Sequence, residues 1–244
     1  MEEVAIYLEN WIKTKVADAG AKGGVIGISG GMDSAVVAAL VKRAYPDNTL
    51  GVIMPCHSNP KDAEYARLVT DILNIDFVEV DLTPVFDTLI NSLNLRENQM
   101  SSMAVANIKP RLRMTTLYYY AGLKNYLVVG TGNKSELLTG YFTKYGDGGV
   151  DIEPLGNMLK CQVYQLAKHL NIPEAIIQRA PTAGLWTDQT DEEEMGITYR
   201  ELDKYLSTQE GPQQVADIVD KLFAKSKHKR EMPAVPDKEF PAYF

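Results

Sequence analysis

The stretch Gly24-Val25-Ile26-Gly27-Ile28-Ser29-Gly30-Gly31-Met32-Asp33-Ser34 reads as a strand, a tight turn and a helix start. An apolar run ends in Ser-Gly-Gly, and an acid with a nearby hydroxyl opens the next segment. Glycines let a backbone approach a ligand closely and reach positive φ at low cost. The free N–H groups of the helix start face that ligand, and the helix dipole favours an anion there. Ser29 and Ser34 add hydroxyls, and Asp33 adds a hard oxygen of the kind Mg²⁺ prefers. The simplest occupant is a phosphate chain with its metal; the plain alternative is an ordinary glycine turn.

Two common phosphate loops are excluded. The Walker loop needs Gly-Lys-Ser/Thr, and the chain has no Gly-Lys dipeptide. The stretch also lacks the Gly-x-Gly-x-x-Gly dinucleotide spacing. Ser-Gly-Gly-x-Asp-Ser after a hydrophobic strand resembles instead the pyrophosphate loop of the N-type ATP pyrophosphatases. That resemblance implies binding of ATP through Gly27, Ile28, Ser29, Gly30, Gly31, Met32, Asp33 and Ser34, and its cleavage to AMP and pyrophosphate.

Outward from this loop, strands alternate with helices. Helical patterns cover 3–19, 33–44, 61–73, 83–93, 100–124 (interrupted at Pro110) and 161–170. Strands are expected at 25–28, 50–54, 77–80 and 126–129. This alternation predicts an α/β fold, a doubly wound parallel sheet with helices on both faces. In such sheets ligands gather at the carboxyl ends of the strands. With 244 residues, 45% of them hydrophobic, a single domain over 1–244 is expected.

The net charge of −7 argues against a nucleic-acid partner, which needs a basic face. No run of 18 apolar residues is present, so no membrane partner is expected. The start Met1-Glu2-Glu3 lacks a signal-peptide layout, and Cys56 and Cys161 form no metal or disulfide framework. They read as packing thiols, and the location expected is cytoplasmic.

A second cluster follows the strand at 126–129. Gly130-Thr131-Gly132 begins a dinucleotide-like spacing but lacks its third glycine. Glu136 falls one turn into the next helix, where it can share a metal with Asp33 or simply complement the dipole. Residues 140–151 compress glycines, Lys144, Asp147 and Asp151 into an aromatic loop, and loops held by a rigid sheet concentrate binding groups.

Taken together, Gly27 to Ser34, Thr131 to Glu136 and Phe142-Thr143-Lys144-Tyr145-Gly146-Asp147-Gly148-Gly149 resemble the ammonia-dependent NAD⁺ synthetases. Lys109-Pro110-Arg111-Leu112-Arg113-Met114, Pro181-Thr182-Ala183, the 190–199 segment and His228-Lys229-Arg230 extend the resemblance over about 20–235. It implies amidation of nicotinic acid adenine dinucleotide (deamido-NAD⁺) by ATP and ammonia, through an acyl-adenylate, with release of AMP and pyrophosphate.

By the same resemblance, Asp33 and Glu136 hold Mg²⁺, and Thr131, Lys160 and Thr182 contact ATP. Arg111, Lys144, Asp151, His228 and Lys229 contact deamido-NAD⁺. Asp147 orients or deprotonates the incoming ammonia, and Asp147 and Lys160 are the catalytic candidates. A lid at about 182–194, a substrate-contacting tail at about 225–244 and a homodimer are also implied. Many members carry Asp-His where this chain has Gly132-Asn133. No nitrilase-type glutaminase segment is present, so free ammonia or a separate supplier is expected. Another pyrophosphatase-loop enzyme, such as a tRNA-modifying ligase, is the alternative; it would want a basic surface.

The remaining polar features have plainer readings. His57 is a site-lining or loop residue, and His169 lies on a helix surface or in packing. The acids Glu192-Glu193-Glu194 read as solvent-facing. The Tyr118-Tyr119-Tyr120 run reads as core or subunit interface.

Overall fold

In the computed structural model, residues 1–93, 102–182, 184 and 190–236 are described. Parts of the expected lid and tail, at 183, 185–189 and 237–244, lie outside the described residues. The strands are β1 (Gly24–Gly27), β2 (Thr49–Ile53), β3 (Asp76–Glu79) and β4 (Leu127–Val128). The longer helices are α1 (Glu2–Asp18), α2 (Met32–Ala44), α3 (Pro60–Leu73), α4 (Thr83–Ser92) and α6 (Ile108–Lys124), with a short α5 (Met103–Ala106). After the sheet come α7 (Lys134–Thr139), α8 (Lys160–His169), α9 (Glu174–Ile177), α10 (Asp191–Met195), α11 (Tyr199–Thr208), α12 (Gln213–Lys225) and α13 (Lys227–Arg230).

The strands form one parallel sheet in the order β3-β2-β1-β4. Strand residues alternate between two cores. Ile26 and Ile53 pack with α1, α2 and α8, whereas Val25, Leu50 and Val52 pack with α4 and α6. Both faces are therefore covered, as a parallel sheet requires, and the expected doubly wound fold is present. The chain runs outward from β1 to β2 and β3, then returns to place β4 on the other side of β1. The order thus reverses between β1 and β4. A crevice opens there beyond the strand ends, and both loops singled out in the sequence lead into it. A third small core, around Met195, Tyr199, Leu202, Val215 and Val219, closes the carboxyl-terminal helices over α7.

Two local expectations need correction. The helical pattern at 100–124 breaks at Asn107, not at Pro110, which sits in the first turn of α6. A first-turn proline loses no intrahelical bond, because its N–H would have had no partner. Cys161 is exposed rather than packed, because the buried stripe of α8 runs through Lys160, Val163, Leu166 and Ala167 and misses it.

Candidate active site

The turn after β1 is pre-set by its own hydroxyls. Ser34 Oγ donates to the Gly31 carbonyl at 2.9 Å, and the Gly31 N–H donates to Ser29 Oγ at 3.2 Å. The two serine hydroxyls lie 3.0 Å apart. Arg179 braces the turn from outside, donating to the Gly30 carbonyl at 2.8 Å and to Asp62 Oδ1 at 2.5 Å. The turn hands over directly to α2, whose three-turn dipole points its positive end into the crevice.

Gly30 has φ +78°, and a Cβ there would lie 2.5 Å from the backbone oxygen of Asp62. Both backbone strain and a clash with α3 therefore oppose any side chain. Gly30→Ala is expected to cost about 2–4 kcal/mol of stability, read as a lower urea midpoint with unchanged slope. An unchanged midpoint would show that the turn relaxes freely.

Across the crevice, α7 is fixed by a capping box. The Asn133 side chain accepts the Glu136 N–H at 3.1 Å, and the Asn133 N–H donates to Glu136 Oε2 at 3.1 Å. Asn133 Nδ2 also donates to Asp33 Oδ1 at 3.3 Å, so one buried cap residue sets both carboxylates. Between them lies the ammonium of Lys160, the first residue of α8. It bonds Asp33 Oδ2 and lies 3.3 Å from Glu136 Oε1. It also sits over the Tyr199 ring, 5.0 Å from the centroid.

The electrostatics follow from this packing. Burial opposes the charge of Lys160, but Asp33 and Glu136 outweigh it and hold the amine above its usual pKa. Burial pushes the Glu136 carboxyl up, to about 7, while Lys160 pulls against that rise and Asp33 adds to it. The Tyr199 hydroxyl lies 3.0 Å from Asp191 Oδ2 and 3.3 Å from Glu136 Oε1.

Two facing carboxylates already bridged by a cation suit a hard divalent ion. Among the described residues no three His, Cys, Asp or Glu side chains converge as a complete metal cage. A pair of carboxylates is a donor set that Mg²⁺ takes together with substrate phosphates and water.

The loop after α7 closes the crevice on its other side. The Gly146 and Gly148 N–H groups both donate to the Thr143 carbonyl, at 2.9 and 3.2 Å. Between them Asp147 opens to the cleft, with Oδ1 accepting the Thr143 N–H at 2.9 Å. Protein surrounds it on its other sides, and this desolvation raises its carboxyl above the usual range. Lys229 comes from α13 to donate to the carbonyls of Gly140 and Phe142, at 2.9 and 2.7 Å, and lines the same cavity. The cavity, of about 480 Å³, joins the Ser29–Ser34 turn, Asp33, Glu136, Lys160, Thr131, Asp147 and Thr182.

Gly130 serves a purpose the sequence did not reveal. A Cβ there would lie 2.7 Å from Val150 Cγ2 and 2.9 Å from Glu153 Cγ, whereas one on Gly132 would meet Glu153 only at ordinary contact distance. Gly130 makes room for Val150 and for Glu153, which lines a smaller adjoining cavity with Glu136 and Asp147. Burial raises the Glu153 carboxyl to about 7, with repulsion from Asp147 and Glu136 adding to it. The fold therefore favours its neutral form. Its contribution to stability is full below the unfolded carboxyl's pKa and is lost as pH rises through about 7. Glu153→Gln is expected to raise the melting temperature relative to the parent at pH 8 and to change it little at pH 4. A difference that is flat with pH would contradict this.

The profile of the NAD synthase family matches residues 4–233. The chain belongs to the NAD synthase family. The NH₃-dependent NAD⁺ synthetase of Carboxydothermus hydrogenoformans is 52% identical over 236 residues, covering 96% of this chain and 97% of that protein. The solved NMN synthetase of Francisella tularensis superposes with a TM-score of 0.91 at 37% identity, covering 97% of this chain and 98% of that one. The NH₃-dependent NAD synthetase of Campylobacter jejuni superposes with a TM-score of 0.79 at 32% identity, covering 97% and 98%.

All the expected ATP-side and metal-side residues except Gly30 line one cavity, whereas several residues expected for the second substrate do not. Arg111 donates to the Lys144 carbonyl at 3.3 Å, and Lys144 Nζ donates to the carbonyls of His228 and Glu231. Asp151 accepts the Val128 N–H at 2.7 Å and the Tyr118 hydroxyl at 3.0 Å. Arg111, Lys144, Asp151 and His228 do not line the cavity. His57 also lies off it, paired with Asp87 at 2.7 Å.

Of the acids at 192–194, Glu193 and Glu194 are exposed, as expected, whereas Glu192 is half-buried. Glu194 Oε2 accepts the Tyr141 hydroxyl at 2.5 Å, and Glu192 Oε1 accepts the Tyr199 N–H at 2.8 Å. Asn133, Glu153, Arg179, Asp191 and Tyr199 were not singled out in the sequence. Only Asn133 carried a local signal, since Asn-x-x-Glu at a helix start is a capping box.

Proposed function

We propose that this enzyme joins ammonia to the nicotinate carboxylate of deamido-NAD⁺, using ATP and forming NAD⁺, AMP and pyrophosphate by way of an acyl-adenylate. The observation that carries the reading is one cavity holding an anion-binding turn, a cation-ready carboxylate pair and a separate carboxylate, Asp147, that opens into it. Mg²⁺ held by Asp33 and Glu136 would screen the phosphates and stabilise charge on the leaving pyrophosphate.

In this reading the Ser29–Ser34 turn and the α2 start bind the phosphates, and Thr131 and Thr182 flank the nucleotide. Lys160 turns from the carboxylates to the phosphate oxygens, meeting charge as the α-phosphorus is attacked. Asp147 binds ammonium, the dominant form at neutral pH, and takes its proton so that free ammonia attacks the adenylate. Arg111, Lys144, Asp151, His228 and Lys229 hold the deamido-NAD⁺.

The reading also takes the enzyme to be cytoplasmic and homodimeric. No helix among the described residues is long and apolar enough to cross a membrane, and both cysteines are free. Tyr119 and Leu123 stand 64% and 65% exposed on α6, an apolar face suited to a second copy. Light scattering at twice the 27.1 kDa chain mass is expected.

The deciding assay mixes enzyme, ATP, MgCl₂, ammonium and deamido-NAD⁺ and follows NAD⁺ and pyrophosphate. Absence of NAD⁺ at every ammonium concentration would reject the reading. The likeness to an NMN synthetase favours one second reading, in which the mononucleotide acid is amidated instead. Comparing kcat/KM for nicotinate mononucleotide and deamido-NAD⁺ separates the two, with the dinucleotide expected to lead.

A further inference from the structure

Asp191 opens α10 and is 4% exposed. Its backbone N–H donates to the Pro181 carbonyl at 3.1 Å, and its Oδ2 accepts the Tyr199 hydroxyl at 3.0 Å. Its Oδ1, also buried, accepts no hydrogen bond of ordinary geometry among the described residues, although the Tyr141 hydroxyl, whose proton goes to Glu194, also stands beside this carboxylate. A buried carboxylate oxygen left without a donor is destabilising unless something outside the chain supplies one.

The surroundings indicate what that something is. Asp191 lines the same cavity as Asp33, Glu136 and Lys160. The Tyr199 hydroxyl that holds Asp191 also lies 3.3 Å from Glu136 Oε1, so a single phenol separates the two carboxylates. The ammonium of Lys160 is engaged by Asp33 and Glu136. Magnesium dehydrates reluctantly and keeps several waters, whose protons need acceptors nearby.

We propose that Asp191 is a positioning residue of the magnesium site, its free Oδ1 accepting a hydrogen bond from a water of the cation that Asp33 and Glu136 hold. Tyr199 fixes the carboxylate in that orientation. The proposal rests on the assignment of Asp33 and Glu136 as the metal ligands.

The test is Mn²⁺ binding to the full chain, read by electron paramagnetic resonance. An ATP analogue with a methylene between its α and β phosphates prevents turnover. Asp191→Ala is expected to weaken Mn²⁺ binding about 10-fold. Asp191→Asn should fall between that variant and the parent, because its amide oxygen can accept on one side only. In steady-state assays the Mg²⁺ activation constant rises more than kcat falls. Asp33→Asn, which removes a direct ligand, should abolish Mn²⁺ binding.

If both Asp191 variants bind Mn²⁺ within twofold of the parent while Asp33→Asn does not, the inference about Asp191 fails and the ligand assignment stands. If Asp33→Asn binds Mn²⁺ like the parent, the ligand assignment itself fails. Should Asp191→Ala not fold, the near-isosteric Asp191→Asn decides alone, and parental affinity in that variant overturns the proposal.

Discussion

Asp33→Asn is expected to lower magnesium-dependent pyrophosphate release by about 10²–10³-fold with little change in melting temperature. Asparagine has the shape of aspartate, so α2 and its turn keep their packing. The charge disappears, and with it one of the two acceptors that face Asn133 Nδ2 and Lys160. Lys160, now bonded to Asp33 Oδ2, is left with Glu136 alone, and a divalent ion loses one of the two carboxylates that face it. Lost screening raises the barrier where the substrate carboxylate meets the triphosphate, two anions that otherwise repel. The assay follows pyrophosphate from ATP and deamido-NAD⁺ across a MgCl₂ titration. Release at the parental rate would remove Asp33 from the metal site.

Asp147→Asn is expected to separate the two half-reactions. Its amide oxygen can still accept the Thr143 N–H that Asp147 Oδ1 accepts at 2.9 Å, so the glycine-rich loop keeps its shape. What is lost is a negative charge able to hold ammonium and take a proton. Amide formation should fall about 10²-fold or more, while adenylate formation stays within about threefold of the parent. Trapping the adenylate in ammonium-free buffer measures the first half; NAD⁺ formed on adding ammonium measures the second. Equal losses in both would make Asp147 a turn residue or give it an earlier role.

The loops most legible in the sequence are those whose backbone is unusual. Ser-Gly-Gly at 29–31 announces a tight turn because glycine accepts the φ of +78° found at Gly30 at the least cost. Glycines at 146, 148 and 149 likewise announce the compressed loop that carries Asp147. Strand and helix order follows from apolar periodicity, which depends on near neighbours in the chain. Misplaced detail came where two local signals competed. Pro110 looks like a helix breaker, yet first-turn geometry absorbs it and the chain breaks at Asn107.

Residues that act through distant contacts left no such mark. Arg179 reaches Gly30 across 149 positions, and Lys160 reaches Asp33 across 127. The pair Gly130 and Gly132 looked like half of a dinucleotide fingerprint; in the fold Gly130 clears space for Val150 and Glu153. Asp191 carried no local signal of its own, yet it is buried against Tyr199 and lines the cavity.

The sequence by itself thus determined the α/β alternation, the phosphate-binding turn and the family resemblance, because each is written in local pattern or close spacing. The tertiary structure decided which charges meet. Reversal of strand order between β1 and β4 brings the ends of two remote strands together, and helices α7, α8, α10 and α11 converge there to surround Asp33 with Glu136, Lys160, Asp191 and Tyr199. Electrostatic strength depends on distance and burial, and neither is set by position along the chain.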